Sequence, residues 1–181
     1  MDQSPQLVML NDSLLALPPV VLKEGYTSCT FRPGDEAAWE RVIGESFGHR
    51  YLFTTMTEDE QFRPERVFFI CHEGIPVATA SAWWRPQWGE DTGYLHMVGV
   101  LPNYAGQRLG YLVSLLAMHR LAEEKRTRAI LETDDFRIPA IVSYLKLGFE
   151  PKLVHPNQVE RWKKIFTDLN DQERLGAMLS Q

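Results

Sequence analysis

Short apolar runs separated by polar turns dominate the first hundred positions of the chain. Residues 26–32 alternate between polar and apolar side chains, which is the period of a half-buried strand. Three more strand-like runs follow at 67–72, 77–84 and 94–100, and the turns between them are rich in glycine and charged residues. Because the connections are short, these three runs predict an antiparallel meander.

Apolar residues recur at helical spacing elsewhere in the chain. The predicted helices are one that Asp35 can cap, with its apolar face at positions 38–47, and four more at 58–63, 107–125, 139–147 and 159–169. Two short runs typical of buried strands, 129–133 and 149–154, alternate with the last three helices. This order predicts an α+β domain around a mixed, mostly antiparallel central sheet of about six to seven strands, with helices on both faces.

The chain length of 181 residues suits a single domain. Residues 1–22 are predicted to be an irregular N-terminal lead-in, because the pair Pro18-Pro19 opposes a helix there. The main domain is then predicted to cover 23–156, and a C-terminal helix and tail to cover 157–181.

Charge and composition narrow the function classes. A formal net charge of −5 gives no general attraction to phosphates, so no nucleic-acid partner is predicted. No apolar run approaches the ~20 residues of a membrane helix, and residues 1–6 lack the basic start and apolar stretch of a signal peptide. Cys29 and Cys71 lack metal-ligand spacing, which favours two buried thiols in a reducing compartment. These features predict a cytoplasmic protein with no membrane partner and no metal.

Residues 95–110 carry most of the candidate chemistry, because a strand breaks there at Pro102 and a glycine-bearing turn enters a long helix. The first N–H groups of a helix have no partner within it, and the helix dipole favours negative charge at that end. Gly106 and Gly110 keep side chains away, so that a pyrophosphate can approach the backbone. Arg108 would add a full positive charge. A glycine-bearing turn before a helix is also an ordinary connection between two elements. Neighbouring features must therefore decide whether this turn is a ligand site.

Two neighbouring features favour a ligand site. The strand ends at Pro102, so the backbone of residues 98–100 is a candidate to hydrogen-bond an extended, amide-containing ligand. Downstream, residues 139–149 read Pro-Ala-Ile-Val-Ser-Tyr-Leu-Lys-Leu-Gly-Phe. This predicts a helix that begins with proline, carries Tyr144 one turn before its end and stops at Gly148.

These motifs together resemble the GNAT superfamily of acyl-CoA N-acyltransferases across residues 93–151. The resemblance implies an acetyltransferase that uses acetyl-CoA as the acyl donor. Its acceptor would be a primary amine of a small molecule or peptide, which attacks the thioester directly.

The resemblance also implies roles for individual residues. The backbone of Val98, Gly99 and Val100 would polarise the thioester carbonyl and hold the pantetheine arm. The residues implied to contact the pyrophosphate are Ala105, Gly106, Gln107, Arg108, Leu109 and Gly110. Tyr144 would be the general acid that protonates the leaving thiolate, because a phenol with an ordinary pKa of ~10 stays protonated at pH 7.

The turn departs from the family pattern Arg/Gln-x-x-Gly-x-Gly/Ala at two positions. Ala105 stands where the family has arginine or glutamine, and Arg108 stands where it has the middle glycine, whereas Gly110 matches. Donor binding survives these changes if its contacts are backbone N–H groups. The departures also favour the alternative function, a non-catalytic acyl-CoA-binding or regulatory module of the same fold.

The base that accepts the amine proton is a separate question. Regular alternation would place Tyr94, His96, Val98 and Val100 on one face of their strand. His96 is then a candidate base or water-relay partner, because histidine titrates near neutrality. The competing interpretation is a histidine packed in the sheet with a hydrogen bond. The identity of the acceptor and the formation of a homodimer stay open at this level.

Overall fold

Seven strands and six helices make up the computed structural model, which describes residues 5–180. The strands are β1 (Leu7–Asn11), β2 (Tyr26–Thr30), β3 (Val67–His72), β4 (Ile75–Trp84), β5 (Thr92–Val100), β6 (Arg128–Thr133) and β7 (Glu150–Lys152). The helices are α1 (Glu36–Phe47), α2 (Thr54–Thr57), α3 (Leu109–Glu123), α4 (Ile138–Lys146), α5 (Gln158–Asp168) and α6 (Gln172–Leu179). Short 3-10 turns occupy Pro64–Arg66, Pro86–Trp88 and Pro102–Tyr104.

The chain divides into two compact units. The larger unit is residues 12–129, and the smaller unit combines the described parts of 1–11 and 130–181. In the larger unit the strand order is β2-β3-β4-β5, with every neighbouring pair antiparallel. In the smaller unit the order is β6-β1-β7, and β1 pairs antiparallel with β7. The predicted α+β class with six to seven mostly antiparallel strands is therefore confirmed.

The two long helices of the larger unit cover opposite faces of β5. A β-carbon placed on Gly99 would lie 3.0 Å from Ile43 of α1, whereas one placed on Gly93 would lie 2.5 Å from Leu121 of α3. Regular alternation would put both positions on the same face, since they are six residues apart. The prediction of helices on both faces is confirmed, and β5 must contain an irregularity between these two glycines.

That irregularity is a β-bulge at Met97. Thr79 of β4 pairs with Gly99 and Ser81 pairs with His96, so the single residue Ala80 opposes both Met97 and Val98. Met97 has a φ of 49°, in the left-handed region.

The bulge corrects the prediction that Tyr94, His96, Val98 and Val100 share one face. The ring centroids of Tyr94 and His96 are 5.3 Å apart on the face covered by α1. Val100 instead contacts the α3 side, where its Cγ2 would lie 3.6 Å from a β-carbon on Gly110. The extra residue reverses the alternation, so side chains after the bulge point the other way.

Close packing at Gly93 gives a stability prediction. We expect Gly93→Ala to lower the free energy of unfolding by about 1–3 kcal/mol, because its methyl group would displace the buried side chain of Leu121. Urea unfolding measures the change. Gly176→Ala is the control, because a β-carbon there meets no described atom within 4 Å and alanine favours a helix. Equal stability of Gly93→Ala and wild type would contradict the packing argument.

Three predicted elements are corrected. Residues 7–11, expected to be irregular, form β1 and pair with β7 at 150–152; Pro18-Pro19 opposes a helix but not a strand seven residues earlier. The helix predicted at 58–63 is wrong, because the helical turns lie on either side, in α2 and at Pro64–Arg66. Part of the predicted C-terminal tail forms α6. The domain limits at 23 and 156 stay predictions.

The two cysteines are neighbours on the α1 face of β2 and β3. Their Sγ atoms are 3.9 Å apart, and both are free thiols. Burial, followed by the neighbouring Cys29, raises the pKa of the Cys71 thiol to about 12. Cys71 is buried, as predicted, whereas Cys29 is only half-buried.

Candidate active site

The backbone at the end of β5 offers a weakly held donor. Leu101 N–H donates to Val77 O at 2.9 Å, so the preceding Val100 N–H points away from β4. Val100 N–H donates to Ser46 Oγ of α1 at 3.4 Å. That distance exceeds the usual range of about 2.7–3.2 Å, so a better acceptor would displace the hydroxyl. Ser46 is a candidate site residue that the sequence analysis missed, because nothing in the helical pattern of α1 marks it.

The turn after β5 leaves an open approach to the backbone. Gly106 has a φ of 77°, and within the described structure a β-carbon placed on it would meet no atom within 4 Å. At Gly110 a β-carbon would make only an ordinary contact of 3.6 Å with Val100. Ala105, Gly106 and Arg108 are exposed. The turn is therefore accessible from solvent at these three positions.

The first N–H groups of α3 follow directly from this turn. Helical bonding begins with Leu112 N–H, which donates to Arg108 O at 3.0 Å. The N–H groups of Leu109, Gly110 and Tyr111 precede it and have no acceptor within the helix. Among the described residues, no side chain caps this end. The arrangement suits an anion, because free N–H groups and the helix dipole act together.

Arg108 has a backbone conformation that favours glycine, which is the residue of the family pattern at this position. Its φ is 62°, in the left-handed region that glycine adopts without strain. For arginine this conformation costs roughly 1–2 kcal/mol. The exposed guanidinium lies over the ring of Tyr111, with its Cζ 4.9 Å from the ring centroid. Arg108 therefore places a positive charge beside the start of α3.

His96 lies in an aromatic group on the α1 face. Its ring centroid is 5.7 Å from that of Trp83, and its cross-strand partner is Ser81. Ser81 is fully buried, and among the described residues its Oγ has no hydrogen-bond partner. Burial, aided by the positive charge of Arg85 and opposed by Asp59, lowers the pKa of His96 to about 4. The imidazole is therefore neutral at pH 7.

Asp59 organises the side chains next to His96. Its Oδ2 accepts hydrogen bonds from Trp83 Nε1 at 3.0 Å and from Arg85 Nη1 at 2.6 Å. Its Oδ1 accepts from Gln61 N–H at 2.8 Å. Burial opposes ionisation, but these hydrogen bonds hold the pKa of Asp59 below its ordinary value. Sequence reasoning missed Asp59, because it assigned this loop to a helix.

The low pKa of His96 gives a prediction for stability against pH. Between pH 6.5 and 4 the unfolded chain protonates this histidine while the folded chain keeps it neutral. The free energy of unfolding should therefore fall as the pH is lowered through this window, by up to about 1.4 kcal/mol per pH unit. Urea unfolding at pH 5 and pH 7 measures the slope. His96→Gln should remove this contribution, and identical slopes in the two proteins would refute it.

Tyr144 belongs to α4 in the smaller unit. Its side chain is buried, and its ring centroid lies 6.1 Å from that of Phe149. Burial raises the pKa of the phenol to about 12, with the charge of Arg137 opposing. After α4, Gly148 adopts a φ of 85°, as its predicted role as a helix stop requires. The phenol is thus held protonated at neutral pH, and its catalytic role stays a prediction.

Two structural features of residues 5–180 concern metal ions and membranes. These residues contain no group of three or more histidine, cysteine, aspartate or glutamate side chains arranged to hold a metal ion. None of their helices is both long and apolar enough to cross a membrane.

The chain is similar to acetyltransferases in both sequence and structure. The Acetyltransferase (GNAT) family matches residues 36–149. A mycothiol acetyltransferase from Streptomyces griseus is 32% identical over 144 residues, which cover 75% of this chain and 46% of that protein. One from Mycolicibacterium smegmatis is 29% identical over 157 residues, covering 80% and 53%. The chain therefore spans about half the length of these curated relatives.

Solved structures agree with this assignment. A GCN5-related N-acetyltransferase from Kribbella flavida is 25% identical, with a TM-score of 0.58 over 82% of this chain and 55% of that one. The ribosomal-protein-S18-alanine N-acetyltransferase from Escherichia coli shares the fold at 20% identity, with a TM-score of 0.59 over 71% of this chain and 79% of that one. From its motifs, its fold and these matches, the chain belongs to the acetyltransferase (GNAT) family.

Proposed function

We propose that this chain transfers an acetyl group from acetyl-CoA to a primary amine of a small molecule or peptide. One observation carries the proposal: an accessible turn leads into the uncapped first turn of α3, directly after a bulged strand. Free N–H groups at a helix start suit the diphosphate of the donor. The open surroundings of Gly106 give that diphosphate room to approach.

The donor contacts follow from the backbone. The N–H groups of the turn, with those of Leu109 and Gly110, bind the diphosphate oxygens, and the charge of Arg108 adds to their attraction. The backbone of Val98, Gly99 and Val100 holds the pantetheine arm. Val100 N–H, released from Ser46, donates to the thioester carbonyl and stabilises the negative charge that develops on its oxygen. Since these donors are backbone groups, the loss of the family's arginine or glutamine at Ala105 is tolerated.

The reaction is a direct displacement. The amine nitrogen bonds to the thioester carbon, the C–S bond breaks, and the products are an amide and CoA. Tyr144, which burial keeps protonated at neutral pH, gives its phenolic proton to the leaving thiolate, and the phenolate then regains a proton from solvent. The nitrogen loses a proton to solvent through a water that His96 orients. A pKa of about 4 makes this imidazole a weak base, so the relay role fits it better than direct proton abstraction.

The relatives direct the choice of acceptor. Several share the name mycothiol acetyltransferase, so amines related to mycothiol belong in the first acceptor panel beside simple primary amines and peptides. His96, half-buried beside the buried rings of Trp83 and Tyr94, is the part of this aromatic group proposed to lie nearest the acceptor. Location in the cytoplasm remains a prediction.

Thiol release measures turnover directly. Acetyl-CoA is mixed with the protein and each amine of the panel, and free CoA is followed with a thiol reagent. Amine-dependent CoA release, together with a product heavier than the amine by one acetyl group, is the expected result. Saturable donor binding without turnover on any amine would instead support the non-catalytic module. An absence of donor binding would reject both functions.

A further inference from the structure

The turn that leads into α3 is conformationally costly. Gly106 and Arg108, on either side of Gln107, both adopt left-handed backbone angles, with φ of 77° and 62°. A non-glycine residue persists in this region only when its surroundings hold it there. The contacts that hold this turn therefore determine whether its N–H groups stay aligned.

Two side-chain hydrogen bonds fasten the turn to the neighbouring strands. The hydroxyl of Tyr26, at the start of β2, donates to Gln107 Oε1 at 2.7 Å. The Nδ1 atom of His72, at the end of β3, lies 3.2 Å from the hydroxyl of Tyr104. One bond holds the residue between the two left-handed positions, and the other holds the 3-10 turn before them.

The two strand residues also support each other. Tyr26 and His72 are cross-strand partners, and their ring centroids are 4.6 Å apart. The ring of His72 in turn lies 5.6 Å from that of Tyr104. Tyr26, His72, Tyr104 and Gln107 thus form one connected group, which we call the turn brace.

We propose that the turn brace is a positioning device for the acyl donor, which holds the N–H groups of residues 106–110 in their binding geometry before acetyl-CoA arrives. This inference rests on the proposed function. Preorganisation strengthens binding, because a turn that is already ordered loses less conformational freedom when the ligand binds. The brace side chains belong to β2, β3 and the turn, and they act on the donor through the backbone rather than on the reacting atoms.

Removal of a single oxygen atom tests each half of the brace. Tyr26→Phe and Tyr104→Phe each delete one hydroxyl and keep the ring contacts. We expect each to raise the Kd of acetyl-CoA about 5- to 10-fold, the effect of losing one hydrogen bond. The KM for acetyl-CoA should rise in parallel, while kcat at saturating donor stays at the wild-type value. Isothermal titration and steady-state kinetics provide the two readouts.

A matched control separates the brace from a general loss of stability. Tyr51→Phe deletes the same atom from a tyrosine whose ring contacts Phe47 and His49, outside the brace, and should leave the donor Kd unchanged. Thermal melting of all three variants reports any general effect. The proposal would be overturned if the brace variants bound acetyl-CoA as tightly as the wild type. It would also be overturned if Tyr51→Phe raised the donor Kd as much as the brace variants do.

A double-mutant cycle tests whether Tyr26 acts through Gln107. Gln107→Ala and Tyr26→Phe remove opposite ends of one hydrogen bond. The donor Kd of the double variant should therefore be no higher than the higher of the two single-variant Kd values. Fully multiplicative effects would contradict this route. The two levels of failure are distinguishable: wild-type protein that binds no acetyl-CoA defeats the proposed function, whereas normal donor binding with an insensitive brace defeats only this inference.

Discussion

Tyr144→Phe is expected to lower the rate of acetyl transfer about 100-fold or more while leaving the Kd of acetyl-CoA close to that of the wild type. The expected loss is the usual contribution of a general acid. The ring and its contact with Phe149 are kept, so only the proton donor is removed. Steady-state kinetics at saturating donor and isothermal titration measure the two quantities.

The pH dependence sharpens this test. Burial raises the pKa of Tyr144 to about 12, so the phenol remains protonated through the neutral and mildly alkaline range. Deprotonation of Tyr144 should therefore not lower the wild-type rate at any pH below about 10. Any fall in rate below that pH should also be present in Tyr144→Phe. Turnover at the wild-type rate in the variant would remove Tyr144 from the mechanism. A higher donor Kd in the variant would point to a binding role instead.

Gly110→Asp is expected to weaken donor binding strongly without unfolding the protein. The new carboxylate would lie in the first turn of α3, where the diphosphate is proposed to bind. Like charges about 5 Å apart at an effective dielectric constant of about 20 repel each other by roughly 3 kcal/mol. The Kd of acetyl-CoA should therefore rise about 100-fold or more. Isothermal titration measures the change.

Although Gly110→Asp should weaken donor binding, it should raise the free energy of unfolding. A β-carbon at Gly110 makes only an ordinary contact with Val100, and a negative charge at a helix start stabilises the helix by about 0.3–1 kcal/mol. Gly110→Asn is the matched control, because it has the same shape without the charge and should bind the donor within a few-fold of wild type. Equal Kd values for the Asp and Asn variants would mean that the diphosphate does not bind at this helix start.

Local patterns predicted much of the fold. The strands at 67–72 and 94–100 and the helix over 139–147 follow from the period of a few neighbouring residues and from nearby turn residues. The predicted turn at Gly106 and the helix stop at Gly148 both adopt positive φ angles. Each of these features depends on interactions within a short segment, which a sequence pattern records directly.

The features that were missed depend on distant partners. Strand β1 is paired with β7, about 140 residues away, and a run of five residues does not identify that partner. The bulge at Met97 interrupts a run whose alternation looks regular in the sequence. The extra residue is evident only from the pairing of β5 with β4. The hydrogen bond from Tyr26 to Gln107 likewise joins residues 81 positions apart. Nonlocal contacts of this kind define the details of the candidate site.

A structure determined with bound CoA tests the central claim most directly. We predict diphosphate oxygens within about 2.7–3.2 Å of backbone N–H groups between Gly106 and Gly110, and the pantetheine arm along Val98–Val100. Density for CoA at another surface, or at this turn without contacts to those N–H groups, would contradict the account.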